Sequence, residues 1–196
     1  MRKSEITRKT AETDIELSLN LDGTGKSSAD TGVGFLDHML ELFALHGRFD
    51  LSLTCKGDTH VDGHHSVEDI GICLGSALAQ ALGEARGISR FSDVTLPMDE
   101  ALVMCAVDIS GRSHLSMDVT LPDRTIGALE AELFEEFLLA FTRKAGITLH
   151  IRMLAGKNAH HIIEACFKSL GRALREAVKI DDDYKDEIPS TKGILV

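Results

Sequence analysis

Two short runs of this chain carry side chains suited to chemistry. His64 and His65 are followed, after two further residues, by Glu68; His160 and His161 are followed in the same way by Glu164. The second run begins 96 residues after the first, close to half of the 196-residue length. Imidazole nitrogens together with a carboxylate oxygen make a ligand set for a divalent transition metal. Neighbouring residues on a helix point about 100° apart, so the two histidines of one run cannot readily chelate one ion and are better placed to serve two. Residues three or four apart share a helix face, so Glu68 can join His64 or His65, and Glu164 can join His160 or His161. Either run alone also reads as an ordinary helix start, where the dipole favours Glu. Its repetition favours metal binding, and a pair of metals favours catalysis over structural bracing.

A lone histidine among apolar helix neighbours, such as His38 in LDHML, is ordinarily a satisfied core residue. Aligned on the repeat, LDHML matches FEEFL, so Glu136 is the counterpart of His38. A donor at both places supplies one further ligand for each ion, and mixed nitrogen and oxygen donors suit Mn2+ or Fe2+ at least as well as Zn2+. His46, His60, His114 and His150 carry no repeated pattern and receive no metal role. Candidates for holding an anion are Arg90 in GISRF, Arg112 in SGRSH, Lys168, and the Ser190-Thr191-Lys192-Gly193 run. Surface Arg and Lys ordinarily serve solubility, but this last run offers hydroxyls, backbone N–H groups and a point charge to a phosphate. The glycine-punctuated loop 23–34 lacks the Lys-Ser/Thr ending of a P-loop and is not read as a nucleotide site.

The elements that must position these groups come in the same order twice. EITRKT and TDIELSLNL alternate as strands, and FLDHMLELFALHG has helical spacing that ends at Gly47. FDLSLTCKG alternates again, and a helix runs from Ser66 to a terminal Gly87. In the second half ALVMCAVDIS and HLSMDVTL read as strands, GALEAELFEEFLLAFTRKAG as an amphipathic helix, ITLHIRMLAG as a strand and HHIIEACFKSLGRALREAV as a long closing helix. The expectation is an α+β fold with an internally duplicated strand–strand–helix–strand–helix unit, its helix layer packed between two four-stranded sheets. Residues 1–92 and 93–196 form the two halves of one compact catalytic domain, with no flexible linker between them.

Composition narrows the function further. A hydrophobic content of 43% with 27% charged residues is that of an ordinary globular protein. No apolar run approaches the ~20 residues of a membrane span, and the polar N-terminus lacks a secretion signal, so a cytoplasmic setting without membrane contact is expected. Cys55, Cys73, Cys105 and Cys166 are too widely spaced for a paired motif and read as buried thiols. A formal charge of −10, one Tyr and no Trp argue against a nucleic-acid partner.

Taken together, RKTAET, TGVGFLDHML, DGHHSVEDIG, RGISRF, LPMDE, DISGR, ITLHI, GKNAHHIIEACFKSLGRAL and PSTKG resemble the imidazoleglycerol-phosphate dehydratase family over essentially the whole chain. The resemblance implies a hydro-lyase of histidine biosynthesis that converts D-erythro-imidazoleglycerol phosphate to imidazole acetol phosphate. It also implies two Mn2+ ions per active site and a 24-subunit homo-oligomer in which neighbouring subunits complete each site. Carried over, one ion would take His38, His65, Glu68 and His160, and the other His64, His161, Glu164 and Glu136. Glu12 in RKTAET would contact the substrate as acid/base, and Arg90, Arg112, Lys168, Ser190 and Lys192 would hold its phosphate. Two departures stand out: many members have His in place of Glu136, and many have Gln in place of Leu42.

The implied chemistry agrees with the ligands. The hydrogen to be removed sits on the glycerol chain and is not acidic in water. A ring that has lost its N–H and is bridged as imidazolate between two cations can release the hydroxyl of the carbon it is attached to, giving a diazafulvene-like species. The next carbon then gives up its hydrogen and the enol becomes a ketone, with Glu12 moving the proton. In this scheme His64, Glu68, His160 and Glu164 are catalytic as well as ligating. A di-metal phosphoester hydrolase explains the ligands but not the rest of the resemblance. A non-catalytic metal-bound assembly module and a kinase on a duplicated scaffold remain from other classes, the kinase disfavoured by the missing phosphate loop.

Overall fold

The computed structural model describes residues 1–195. The first half contains β1 (Lys3–Lys9), β2 (Thr13–Asn20), β3 (Ser27–Asp30), α1 (Gly34–Gly47), β4 (Asp50–Gly57) and α2 (His64–Leu82). The second contains β5 (Phe91–Met98), β6 (Ala101–Asp108), β7 (His114–Asp118), a short hairpin of β8 (Thr125–Ile126) and β9 (Leu129–Glu130), α3 (Ala131–Ala145), β10 (Thr148–Ala155) and α4 (Ala159–Ala177). The two four-stranded sheets have the same plan, β1-β2-β4-β3 and β5-β6-β10-β7. In each, the last strand runs parallel to its neighbour and the other pairs are antiparallel.

Alternation explains how each sheet gains one dry face. Ile15, Leu17 and Leu19 on β2, with Leu51, Leu53 and Cys55 on β4, are buried, while Glu16, Ser52 and Thr54 face outward. Ala101, Val103, Cys105 and Val107 on β6, with Leu149 and Ile151 on β10, do the same in the second sheet. The helices cover these faces: α2 lies on β1 and β2, α4 on β5 and β6, α1 beside β3, and α3 beside β7. The halves meet through the helices, α2 against α3 and α1 against α4. A Cβ on Gly75 would stand 2.4 Å from the Phe141 carbonyl oxygen, and one on Gly171 would stand 2.5 Å from that of Phe43. These two glycines are repeat counterparts, so the same close approach is built twice.

The repeating unit has one more strand before its first helix than the sequence pattern predicts. β3 reads SSAD, a short and mostly exposed edge strand with no apolar alternation to mark it. β5 reads FSDVTLPM; Pro97, tolerable only at a sheet edge, interrupts its pattern. The α2 helix stops at Gly83 rather than Gly87. At the end of α1 it is Arg48, not Gly47, that takes the left-handed conformation, with φ 57°. All four cysteines are free and buried, and burial raises Cys73 to about 11 and Cys105 to about 12, leaving them unreactive. Among the described residues, no helix is long and apolar enough to cross a membrane.

Candidate active site

Both histidine pairs sit in the first turn of the second helix of their half. Asn158 caps α4, its side-chain oxygen accepting from the N–H of His160 at 2.9 Å and of His161 at 3.3 Å. In α2, Asp62 accepts from the N–H of His64 at 2.8 Å. Within each pair the two rings point apart: ring planes make 86° between His64 and His65, and 81° between His160 and His161.

His160 turns inward to its own helix and to α1. Its Nε2 lies 3.2 Å from Glu164 Oε2, and its ring stands 6.0 Å from that of His38 and edge-on to Phe35 at 5.0 Å. Among the described residues, His38, His160 and Glu164 form the one group of three whose donor atoms all lie within 4.8 Å of one another. Two donors bound at about 2.1 Å can stand at most about 4.2 Å apart on one ion, so small side-chain rotations would close this group onto a metal. Burial acts to raise the Glu164 pKa, but Lys168 Nζ at 2.5 Å, with His160 and His38, outweighs it and holds the carboxyl below its usual range. Lys168 engages Oε1 and leaves Oε2 toward His160, so an ionised donor is ready for a cation.

The repeat counterparts of that trio are Glu136, His64 and Glu68. His64 Nε2 lies 3.9 Å from Glu68 Oε2, and Glu136 is half-buried on α3, but the three do not close as tightly as their twins. The trio places Glu164 with His38 and His160.

His65 and His161 turn the other way. A carboxylate only accepts, so His65 Nδ1–H donates to Asp58 at 3.0 Å and His161 Nδ1–H donates to Glu100 at 2.7 Å. Each bond raises the pKa of its histidine and leaves Nε2 as the free ring nitrogen, the usual second-shell arrangement behind a metal-binding imidazole. Glu100 is pulled down to about 2 by the His161 hydrogen bond and by the N–H groups of Asn158 and Lys157. Sequence reasoning missed Asp58 and Glu100. The registers of β1–β2 and β5–β6 make Glu100 the counterpart of Glu12, 88 positions on, an offset that differs from the 96 of the histidine runs. Glu12 itself is exposed in the β1–β2 turn, its Oε1 3.7 Å from His65 Nε2.

The anion candidates gather elsewhere. Arg90, Arg112, Ser190 and Lys192 line one cavity of ≈ 410 Å³ with Ser110, Pro189 and Thr191. Arg90 is held by Asp108 at 2.8 Å, and its NH1 donates to the Pro189 carbonyl at 2.8 Å, which docks the C-terminal run over the cavity. Lys168 is not among the lining residues; it belongs to the His38 group. Leu42 is half-buried on α1 against the core. The first half has a matching hollow of ≈ 600 Å³, where Arg2, Asp22 and Thr24 stand 88 positions before Arg90, Ser110 and Arg112. There Asp22 pairs with Arg2 at 2.7 Å, as Asp108 pairs with Arg90, but the position of Arg112 is taken by Thr24, so the first hollow lacks that second arginine.

A duplicated two-sheet fold bearing a histidine–carboxylate group that could hold a metal, together with a basic cavity, fits the class of metal-dependent enzymes. The imidazoleglycerol-phosphate dehydratase family model matches residues 31–174. Imidazoleglycerol-phosphate dehydratases of Roseobacter denitrificans and Methylorubrum extorquens are 57% and 56% identical over 195 residues, covering 100% of this chain and of each relative. The crystal structure of the Staphylococcus aureus enzyme superposes with TM-score 0.83 at 37% identity, covering 91% of this chain and 99% of that one. That of the Pyrococcus furiosus enzyme gives 0.83 at 39%, covering 97% and 100%. The chain belongs to the imidazoleglycerol-phosphate dehydratase family, lyases of histidine biosynthesis.

Proposed function

We propose that the chain dehydrates D-erythro-imidazoleglycerol phosphate to imidazole acetol phosphate, with two divalent ions, Mn2+ as the resemblance implies, at each site. The observation that carries this reading is the His38–His160–Glu164 group, which draws donors from both halves and keeps its carboxylate ionised. Its repeat counterpart, Glu136 with His64 and Glu68, would hold the second ion. His65 and His161, with Nδ1 occupied and Nε2 free, are suited to completing such groups in adjacent copies. Bound divalent cations would favour loss of the ring N–H and so ease departure of the hydroxyl on the carbon attached to the imidazole. Glu12, exposed beside His65, moves the proton from the next chain carbon to that hydroxyl, which leaves as water, and the resulting enol tautomerises to the ketone on that next carbon. Arg90, Arg112, Ser190 and Lys192 grip the phosphate, and Lys168 keeps Glu164 charged.

Distance supports sharing between copies. Arg90 and Asp108 mark one end of the β5–β6 hairpin, and Glu100, touching His161, marks the other. An eight-residue strand separates them by about 25 Å, several times the reach of a glycerol phosphate chain. In this reading one copy offers its phosphate cavity to the metal groups of another, within the 24-subunit assembly that the resemblance implies. The deciding assay feeds the phosphorylated substrate to metal-loaded protein and follows ketone and inorganic phosphate together. Ketone without phosphate supports the dehydratase; phosphate release without ketone means a di-metal phosphoester hydrolase.

A further inference from the structure

The hairpin that carries Glu12 differs in side chains from its twin, although the two share a backbone register. Arg8 opposite Ile15 corresponds to Leu96 opposite Val103, and Lys9 opposite Asp14 to Pro97 opposite Leu102. Beneath the first hairpin α2 presents Asp69; at the equivalent place α4 presents Ala165. Four positions at this junction are thus polar in the first half (Arg8, Thr10, Thr13 and Asp69) and apolar in the second (Leu96, Met98, Ala101 and Ala165).

The polar set forms one connected chain of hydrogen bonds. Asp69, only 6% exposed, accepts on Oδ1 from Arg8 Nε at 2.9 Å and NH2 at 2.7 Å, and on Oδ2 from the Thr13 hydroxyl at 2.6 Å. Because Thr13 gives its hydroxyl hydrogen to Asp69, it accepts from the Thr10 hydroxyl at 3.1 Å. Thr10 Oγ1 in turn accepts the backbone N–H of Glu12 at 3.1 Å and of Thr13 at 2.9 Å. Burying an ionised carboxylate is unfavourable unless it is fully partnered, and an apolar replacement is often no less stable. The second half makes the same junction from apolar residues, so the fold does not require the polar one.

Hydrogen bonds give direction, which apolar contact lacks. Glu100 gets its direction from its own carboxylate, which is bonded to His161, Lys157 and Asn158. Among the described residues, the Glu12 side chain makes no hydrogen bond, so its aim is set by the backbone of the turn. That turn is tied to Asp69 through its N–H, and to the Asp58 loop through the Glu12 carbonyl, which accepts from the Asp58 N–H at 3.1 Å. We propose that Asp69, acting through Thr13 and Thr10, is the positioning residue that aims Glu12 at the reacting carbon. This rests on the reading of Glu12 as the proton-moving group given above.

The test measures kcat and KM for the assembled, metal-loaded enzyme and for its Asp69→Asn, Glu12→Gln and doubly substituted variants, recording metal content and particle size for each. Glu12→Gln is expected to lower kcat by about 10²–10⁴-fold. Asp69→Asn should lower kcat by about 10²-fold with KM little changed, the scale of a small misplacement. The double variant should be no slower than Glu12→Gln alone, because Asp69 acts only through Glu12. Losses that multiply in the double variant, or a parental kcat for Asp69→Asn, overturn the inference. A parental kcat for Glu12→Gln removes instead the reading of Glu12 itself. Should Asp69→Asn fail to assemble, Thr13→Val keeps the Arg8–Asp69 pair and should show the same selective loss of kcat. The variant Arg8→Leu/Thr10→Met/Thr13→Ala/Asp69→Ala copies the twin junction. It should keep its metal, its particle and its thermal midpoint while losing about 10²-fold in kcat, and parental turnover there would also overturn the inference.

Discussion

Glu164 has partners of two kinds, Lys168 on one oxygen and His160 on the other, and separating them gives the sharpest test of the metal group. Glu164→Gln removes an ionised donor and also leaves Lys168, 17% exposed, without its anion. Measured by urea on metal-free protein, where the ion contributes nothing, the substitution should cost about 2 kcal/mol. Metal analysis of the same variant should show less ion per chain than the parent, and full loading would remove Glu164 from the ligands. Glu136 is the complementary case, a half-buried carboxylate on α3 at the position equivalent to His38. If two ions are held by two separate donor sets, as proposed, Glu136→Ala should lower the metal-to-chain ratio by about half while leaving the His38 group loaded. An unchanged ratio would mean that Glu136 does not ligate.

Between helices the tolerance is small. Gly75→Ala and Gly171→Ala would each drive a methyl group into a backbone carbonyl, at 2.4 Å and 2.5 Å, that cannot move without moving a helix. The intrinsic preference of helices for Ala is overridden, and each should destabilise by about 3 kcal/mol in chemical denaturation. This symmetry was legible in part. Helices with long apolar stripes and central strands with strict alternation could be read from the residues, and so could the two His-His-x-x-Glu runs. The edge strands β1 and β7 could be read as well, but β3 and β5 could not, because β3 is short and mostly exposed and Pro97 breaks the pattern of β5. Asp58 and Glu100 were missed because they act through the far nitrogen of a histidine, a relation of space with no fixed spacing in sequence. The Arg2–Asp22 pair at the edge of the first sheet gives an acid-stability test. Arg2 holds Asp22 below its ordinary value of 3.8, so folded Asp22 binds its proton less readily than the unfolded chain does. Its contribution is full above that value and disappears as pH falls through the lower folded one. Asp22→Asn should therefore lower the thermal midpoint at neutral pH, with the difference from the parent vanishing in strong acid.

At the scale of the whole molecule, the separation of the phosphate cavity from the histidine groups makes a prediction that no single chain can satisfy. Arg90 and Arg112 stand at one end of the β5–β6 hairpin and the His160–His161 turn at the other. Under the proposed function a substrate touching both would lie between copies, and a site would combine the cavity of one chain with the cluster of another. Chains carrying Arg90→Ala should be inactive, and so should chains carrying His160→Ala, each retaining one intact half of the site. Unfolded together and reassembled with metal, the mixture should regain about one quarter of parental activity, because that share of cavity–cluster pairings in a symmetric assembly is intact on both sides. If instead each chain housed a complete site, every site in the mixture would still carry one lesion and none would recover. Chelation should act at the same junction, breaking the large particle into smaller units as the ligands from different copies let go, with re-addition of Mn2+ restoring both particle size and turnover. A particle unchanged after complete metal removal would show that the copies are held by other contacts, and the complementation result would then stand alone as the measure of how the site is shared.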